Sequence, residues 1–142
     1  MAVLRLLPLL LVALCAGCMS PLAYTPNSGM VDQLGEEGAE AEFAKILKRS
    51  QTPEVREVTV EHDNFAYKWR GQAGPAGTYA HDGERAVYFA NVNRIELFEN
   101  FKAFLWNDGI LLADFRFNSL GDAQRFADLV SSFKSRMESG GK

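Results

Sequence analysis

The chain has 142 residues, 47% of them hydrophobic, and a formal net charge of −3. Its length excludes a multi-domain protein, its composition a multi-span membrane protein, and its lack of a basic excess argues against a dedicated nucleic-acid binder. Removing residues 1–17, which hold fourteen apolar residues and Arg5, leaves 125 residues of about 42% apolar content, ordinary for one domain that buries a core without staples.

The first element is an export signal. One basic residue precedes the apolar run Leu6–Leu14, broken by Pro8, and small residues follow at Ala16 and Gly17. A membrane-spanning helix needs about 20 apolar residues, and this run ends by Cys18 in a polar segment. Residues 1–17 are therefore expected to be a signal peptide. Cys15 and Cys18 are the only cysteines. Their spacing would suit a redox or metal pair in a folded context, but Cys15 is expected to leave with the signal. No disulfides are expected in the exported domain.

The stretch Leu14-Cys15-Ala16-Gly17-Cys18 resembles the lipobox of bacterial lipoproteins, with one departure: Cys15 stands where Leu is usual, and Leu14 is displaced by one. The resemblance implies that Cys18 becomes the first mature residue, carries acyl chains and anchors the protein to a membrane of the cell envelope. Met19 and Ser20 follow with no Asp, which implies the periplasmic face of the outer membrane in a Gram-negative host. Ordinary secretory cleavage is the alternative.

Residues 18–38 are rich in Pro, Ser, Asn, Gly and acidic residues and read as a flexible tether. A helix is expected over Ala39–Arg49, with Phe43, Ile46 and Leu47 on one face and Pro53 beyond its end. Val55–Glu61 alternates as a strand, and His62-Asp63-Asn64 forms a turn. Phe65, Tyr67 and Trp69 alternate in the next strand, and Gly71–Arg85 reads as a polar loop. Val87 and Phe89 mark a third strand, Ile95 and Leu97 a fourth. Phe101–Trp106 and Ile110–Phe117 flank Asn107-Asp108-Gly109, a hairpin signal. Glu96–Trp106 also fits a helical spacing, but the adjoining hairpin favours strand. The final helix, Leu120–Glu138, carries a stripe of Leu120, Ala123, Phe126, Ala127, Val130, Phe133 and Met137, with Ser119 as its N-cap.

Such a meander closed by an amphipathic helix predicts an α+β fold: a curled antiparallel sheet of six or seven strands capped by the C-terminal helix, with an extra N-terminal helix. The run Ala90–Leu97, the hairpin strands, Phe115-Arg116-Phe117-Asn118-Ser119 and Asp122–Ala127 resemble the second half of pleckstrin-homology-like domains. The resemblance covers about half of the mature chain, and implies a single domain over residues 39–139. Its residues are mostly core formers, so it speaks to fold and hardly to function.

His62 and His81 are each followed by Asp, and turn chemistry explains both without a metal. No metal ligand set at a known spacing, no nucleophile elbow, no phosphate loop and no cofactor motif is present, so neither a catalytic residue nor a cofactor is expected. Lys68-Trp69-Arg70 is the basic-aromatic cluster, and these three are the candidate partner-binding residues. Strand alternation offers a plainer account, with Trp69 in the core and its neighbours outside. Headgroup binding in the manner of eukaryotic pleckstrin-homology domains is set against by the acidic turn Glu61–Asn64. The tip Asn107-Asp108-Gly109 is a secondary candidate. The expected function is a membrane-tethered, non-catalytic module binding an envelope protein or peptide. The alternative is a carrier of a small apolar ligand or lipid inside the sheet.

Overall fold

The computed structural model describes residues 20–71 and 79–140. Helix α1 is Met30–Leu34 and helix α2 Glu36–Lys48, separated by Gly35 at a φ of 74°. Glu36 and Glu37 in the first turn of α2, and Lys45 and Lys48 in its last, suit the helix dipole. Strands β1 (Glu54–Val60), β2 (Asn64–Arg70) and β3 (Gly83–Tyr88) form one antiparallel sheet in that order. Strands β4 (Arg94–Leu97), β5 (Lys102–Asn107) and β6 (Ile110–Arg116) form a second. Helix α3, Leu120–Gly140, closes the chain. Ser119 caps it as the sequence suggests, its Oγ accepting from the Asp122 amide at 3.1 Å.

The single curled sheet expected from the meander is replaced by two three-stranded sheets. The pairing breaks after β3, where Phe89–Asn91 forms a single 3-10 turn that buries Phe89 and redirects the chain. The third strand thus ends before Phe89 and begins inside the expected loop, at Gly83. The β5–β6 hairpin turns at Asp108 and Gly109, both at positive φ (45° and 83°), as its sequence predicts.

The segment leading into β1 pairs with the end of β6. There the Gln51 amide donates to the Arg116 carbonyl at 2.7 Å, and the Arg116 amide to that of Thr52 at 2.8 Å. Further along the same edge of β6 side chains take over from backbone. Tyr79 donates its hydroxyl to the Asp114 carbonyl at 3.0 Å, and Arg85 Nη1 donates to that of Leu112 at 3.0 Å. Carbonyls two residues apart point to the same side of a strand. Residues 112, 114 and 116 are therefore one edge, capped rather than left as a template for pairing.

The core lies between the sheets and the helices. Phe126 of α3 meets Phe43 of α2 at 5.4 Å between ring centroids, Phe115 of β6 at 5.3 Å and Phe117 at 5.2 Å. Phe133 stacks on Phe89 at 4.9 Å, and Phe43 lies 4.8 Å from Phe65 of β2. All seven rings are at most 2% exposed, and each contributes about 1.5–3 kcal/mol of burial.

The stretch read from composition as a flexible tether carries contacts from Pro21 onward. Pro21 bridges to Phe98, and the Leu22 amide donates to the Leu97 carbonyl at 2.7 Å. Tyr24 donates its hydroxyl to Asp128 of α3, the Asn27 amide donates to the same carboxylate at 2.8 Å, and the Val31 amide to Ser132 Oγ at 2.8 Å. Met30 and Val31 are buried. These apolar residues show no helical or strand period, so composition hides their packing.

Candidate functional site

Strand register decides where the candidate cluster points. Phe65, Tyr67 and Trp69 share the inner face of the first sheet, while Lys68 and Arg70 face outward. Trp69 is a structural residue: it donates Nε1 to the His81 carbonyl at 2.7 Å and meets the Tyr79 ring edge-on at 5.2 Å. Its ladder partner is Gly83, where a Cβ would lie 2.3 Å from Trp69 Cζ2. Lys68 sits in a cross-strand row between Glu57 and Glu84, 3.0 Å from the former. The hydrogen bond and charge of Glu57 hold its ammonium above its usual value. Arg70 is exposed. The three residues are therefore not brought into one basic-aromatic surface, because alternation divides them between two faces. Cys18, the lipidation candidate, lies outside the described residues.

Behind Trp69 is a buried polar seam between the sheets. Tyr79 donates to Asp114 Oδ1 at 2.9 Å as well as to its carbonyl, and Arg85 stands 5.8 Å from the centroid of the Trp69 ring. Burial, aided by Tyr67 and Asp114, pushes the Tyr79 phenol well above its ordinary value. Burial also raises Tyr67, against the pull of the Arg85 charge. Phenols held protonated in this way are poor proton carriers at neutral pH. The seam joins the sheets; it does not resemble an acid–base pair.

The outward faces differ. On the first sheet, Glu57, Thr59, Ala66, Lys68, Glu84 and Ala86 line a shallow recess of about 330 Å³. On the second, the pairs Arg94–Trp106, Trp106–Leu111, Phe104–Asp114 and Lys102–Arg116 share the outward side, with Glu96 opposite Phe104. Phe98 packs on Phe104 at 4.9 Å, and the Arg94 guanidinium lies 5.1 Å from the centroid of the Trp106 ring. Sequence reasoning did not find this aromatic and basic face. Its signal is the period of two in Arg94-x-Glu96-x-Phe98 and Lys102-x-Phe104-x-Trp106. That period does not reveal which parity faces the core, and the smaller Ala103 and Leu105 are the buried ones.

The hairpin tip is tied down: Asn93 donates its side-chain amide to Asp108, whose own amide returns to Asn93 Oδ1 at 3.2 Å. A cleft of about 430 Å³ lies between the start of α2, the β1–β2 turn and the end of α3. Phe133 and Met137 form its apolar floor, and Glu36, His62 and Arg136 its charged and polar rim. Among the described residues no group of three or more His, Cys, Asp or Glu is arranged to hold a metal ion. No helix among them is long and apolar enough to cross a membrane. Comparisons with known protein families, curated proteins and solved structures found no match.

Proposed function

We propose that the protein is an envelope lipoprotein, acylated on Cys18, whose domain is a non-catalytic module holding a protein or peptide partner. The fold reading that accompanies this is a pleckstrin-homology-like domain in which two short sheets, joined along one edge of β6, are plugged by α3. The signal, the lipobox-like Leu14–Cys18 and the capped final helix after Phe-x-Phe support it.

The observation that carries the choice between module and carrier is the filled interior. A carrier needs a chamber between the sheets, and that space is occupied by Phe43, Phe65, Phe89, Phe115, Phe117, Phe126 and Phe133 in mutual contact. The recesses lie outside it. The cleft floored by Phe133 and Met137 has the apolar base and polar rim that a peptide side chain uses. An anchor raises the effective concentration of any partner in the same membrane.

Two measurements test this reading. Metabolic labelling with a clickable fatty acid should mark the wild type and not Cys18→Ser; equal label in both contradicts the anchor. Capture from solubilised envelopes should recover the same partner with wild type and lose it with Met137→Ala plus Arg136→Glu. A stoichiometric lipid in place of a protein would contradict the module.

A further inference from the structure

The geometry points to the outward face of the sheet β4–β5–β6 as a surface laid against anionic phospholipid, an inference that rests on acylation of Cys18. The decisive feature is the length of chain between anchor and fold. Docking begins at Pro21, which bridges to Phe98 at the edge of β4. Only Met19 and Ser20 separate it from Cys18. Three Cα steps of about 3.8 Å reach no more than about 11 Å. A domain held that closely cannot tumble away from the bilayer; the side that carries Pro21 must stay near it.

That side has the chemistry of a membrane interface. Pro21 bridges to Phe98, Phe98 packs on Phe104, and Phe104 lies 6.1 Å from Trp106 between ring centroids. Partly exposed Phe104 and Trp106, the indole nitrogen of the latter turned into the protein, offer apolar ring surface to the interface, and Arg and Lys reach past such surface to phosphate. Leu111, 39% exposed, is the ladder partner of Trp106. Arg94, Lys102 and Arg116 supply three cations on the same face. Two carboxylates oppose them: Glu96 pairs with Arg94 at 3.1 Å, and Asp114 is buried under the Tyr79 hydroxyl. The face is thus positive in a chain of net charge −3. The helices pack from the other side, over buried Leu97, Ala103, Leu105 and Phe115. On the first sheet Lys68 is flanked by Glu57 and Glu84, and Arg70 stands opposite Glu54, so cations and carboxylates alternate there.

The test uses the full-length acylated protein in vesicles of mixed zwitterionic and anionic phospholipid. A single reactive cysteine is introduced as Leu111→Cys or as Thr59→Cys, both exposed positions on opposite sheets. Cys18, its sulfur held as a thioether, does not react. Labelling with a maleimide on a polyethylene-glycol chain should be several-fold slower for Leu111→Cys than for Thr59→Cys. Equal rates on acylated, vesicle-bound protein overturn the inference and leave the anchor standing. Protein that is not acylated and stays off the vesicles overturns the anchor reading, and the inference falls with it.

Discussion

The two sheets are built alike, each a three-stranded antiparallel meander with aromatic or aliphatic residues turned inward. Their outward faces differ in how rings and charges are grouped. The first sheet shows Glu57, Lys68 and Glu84 in one row and Thr59, Ala66 and Ala86 in the next, with Arg70 opposite Glu54 at one end and half-exposed Tyr88 opposite Asn64 at the other. The second shows Phe104 and Trp106 among Arg94, Lys102 and Arg116. A solvent-facing antiparallel sheet needs only polar outward residues. The second sheet groups partly exposed Phe104 and Trp106 with three cations, whereas the first shows one exposed ring, Tyr88, at the end of β3; the proposed membrane contact accounts for that grouping.

The comparison holds only if both sheets share one core, and the first way to break it is through Phe126. Its ring touches Phe43 and Phe65 on one side and Phe115 and Phe117 on the other. Phe126→Ala should lower stability by about 3–5 kcal/mol, read as a fall in the urea midpoint in a single transition. A midpoint that stays in place would mean that the sheets do not meet on α3.

The seam comes next. Tyr79→Phe removes the donor to Asp114 while keeping the ring against Trp69, and should cost about 1–3 kcal/mol because buried acceptors are left without a partner. The near-ultraviolet circular dichroism of Trp69 should change with it. By contrast Lys68→Ala, on the outer face, should leave the midpoint where it is. Equal losses for the two variants would remove the distinction between seam and surface.

A smaller effect should appear in alkali. Tyr24, Tyr67 and Tyr79 are all held above the ordinary phenol value of 10.0, with burial the largest cause in each. Above that value the folded chain keeps protons that the unfolded chain has lost. Their contribution is therefore complete below 10.0 and declines as pH rises toward the folded values. The urea midpoint should fall on raising the pH past 10.0, and fall less steeply in Tyr79→Phe. A midpoint that climbs over that range contradicts the assignment.

The parts of this arrangement legible in the sequence are the local ones. Ser119 and Asp122, the stripe through Phe126 and Phe133, and Asn107-Asp108-Gly109 specify a capped helix and a hairpin from neighbouring residues alone. The division into two sheets is not local. It depends on where β3 stops pairing, and Phe89 reads as a strand residue until α3 offers Phe133 to stack on it. Docking of residues 21–34 depends on Asp128 and Ser132, about a hundred positions away. The second sheet's outward face escaped the sequence reading for a related reason. Lys68-Trp69-Arg70 is contiguous and catches the eye, yet alternation splits it; Arg94, Lys102, Phe104 and Trp106 are scattered and converge only through strand register.

Trp69 and Trp106 are the two tryptophans of the chain, one turned inward from the first sheet and one outward from the second. They make the most direct test a fluorescence measurement on full-length acylated protein in vesicles containing lipids brominated along the acyl chain. Trp69→Phe, which leaves Trp106 as the reporter, should be strongly quenched, and Trp106→Phe, which reports Trp69, should keep most of its emission. Equal quenching of the two, or stronger quenching of Trp69, would contradict the claim that the second sheet faces the membrane.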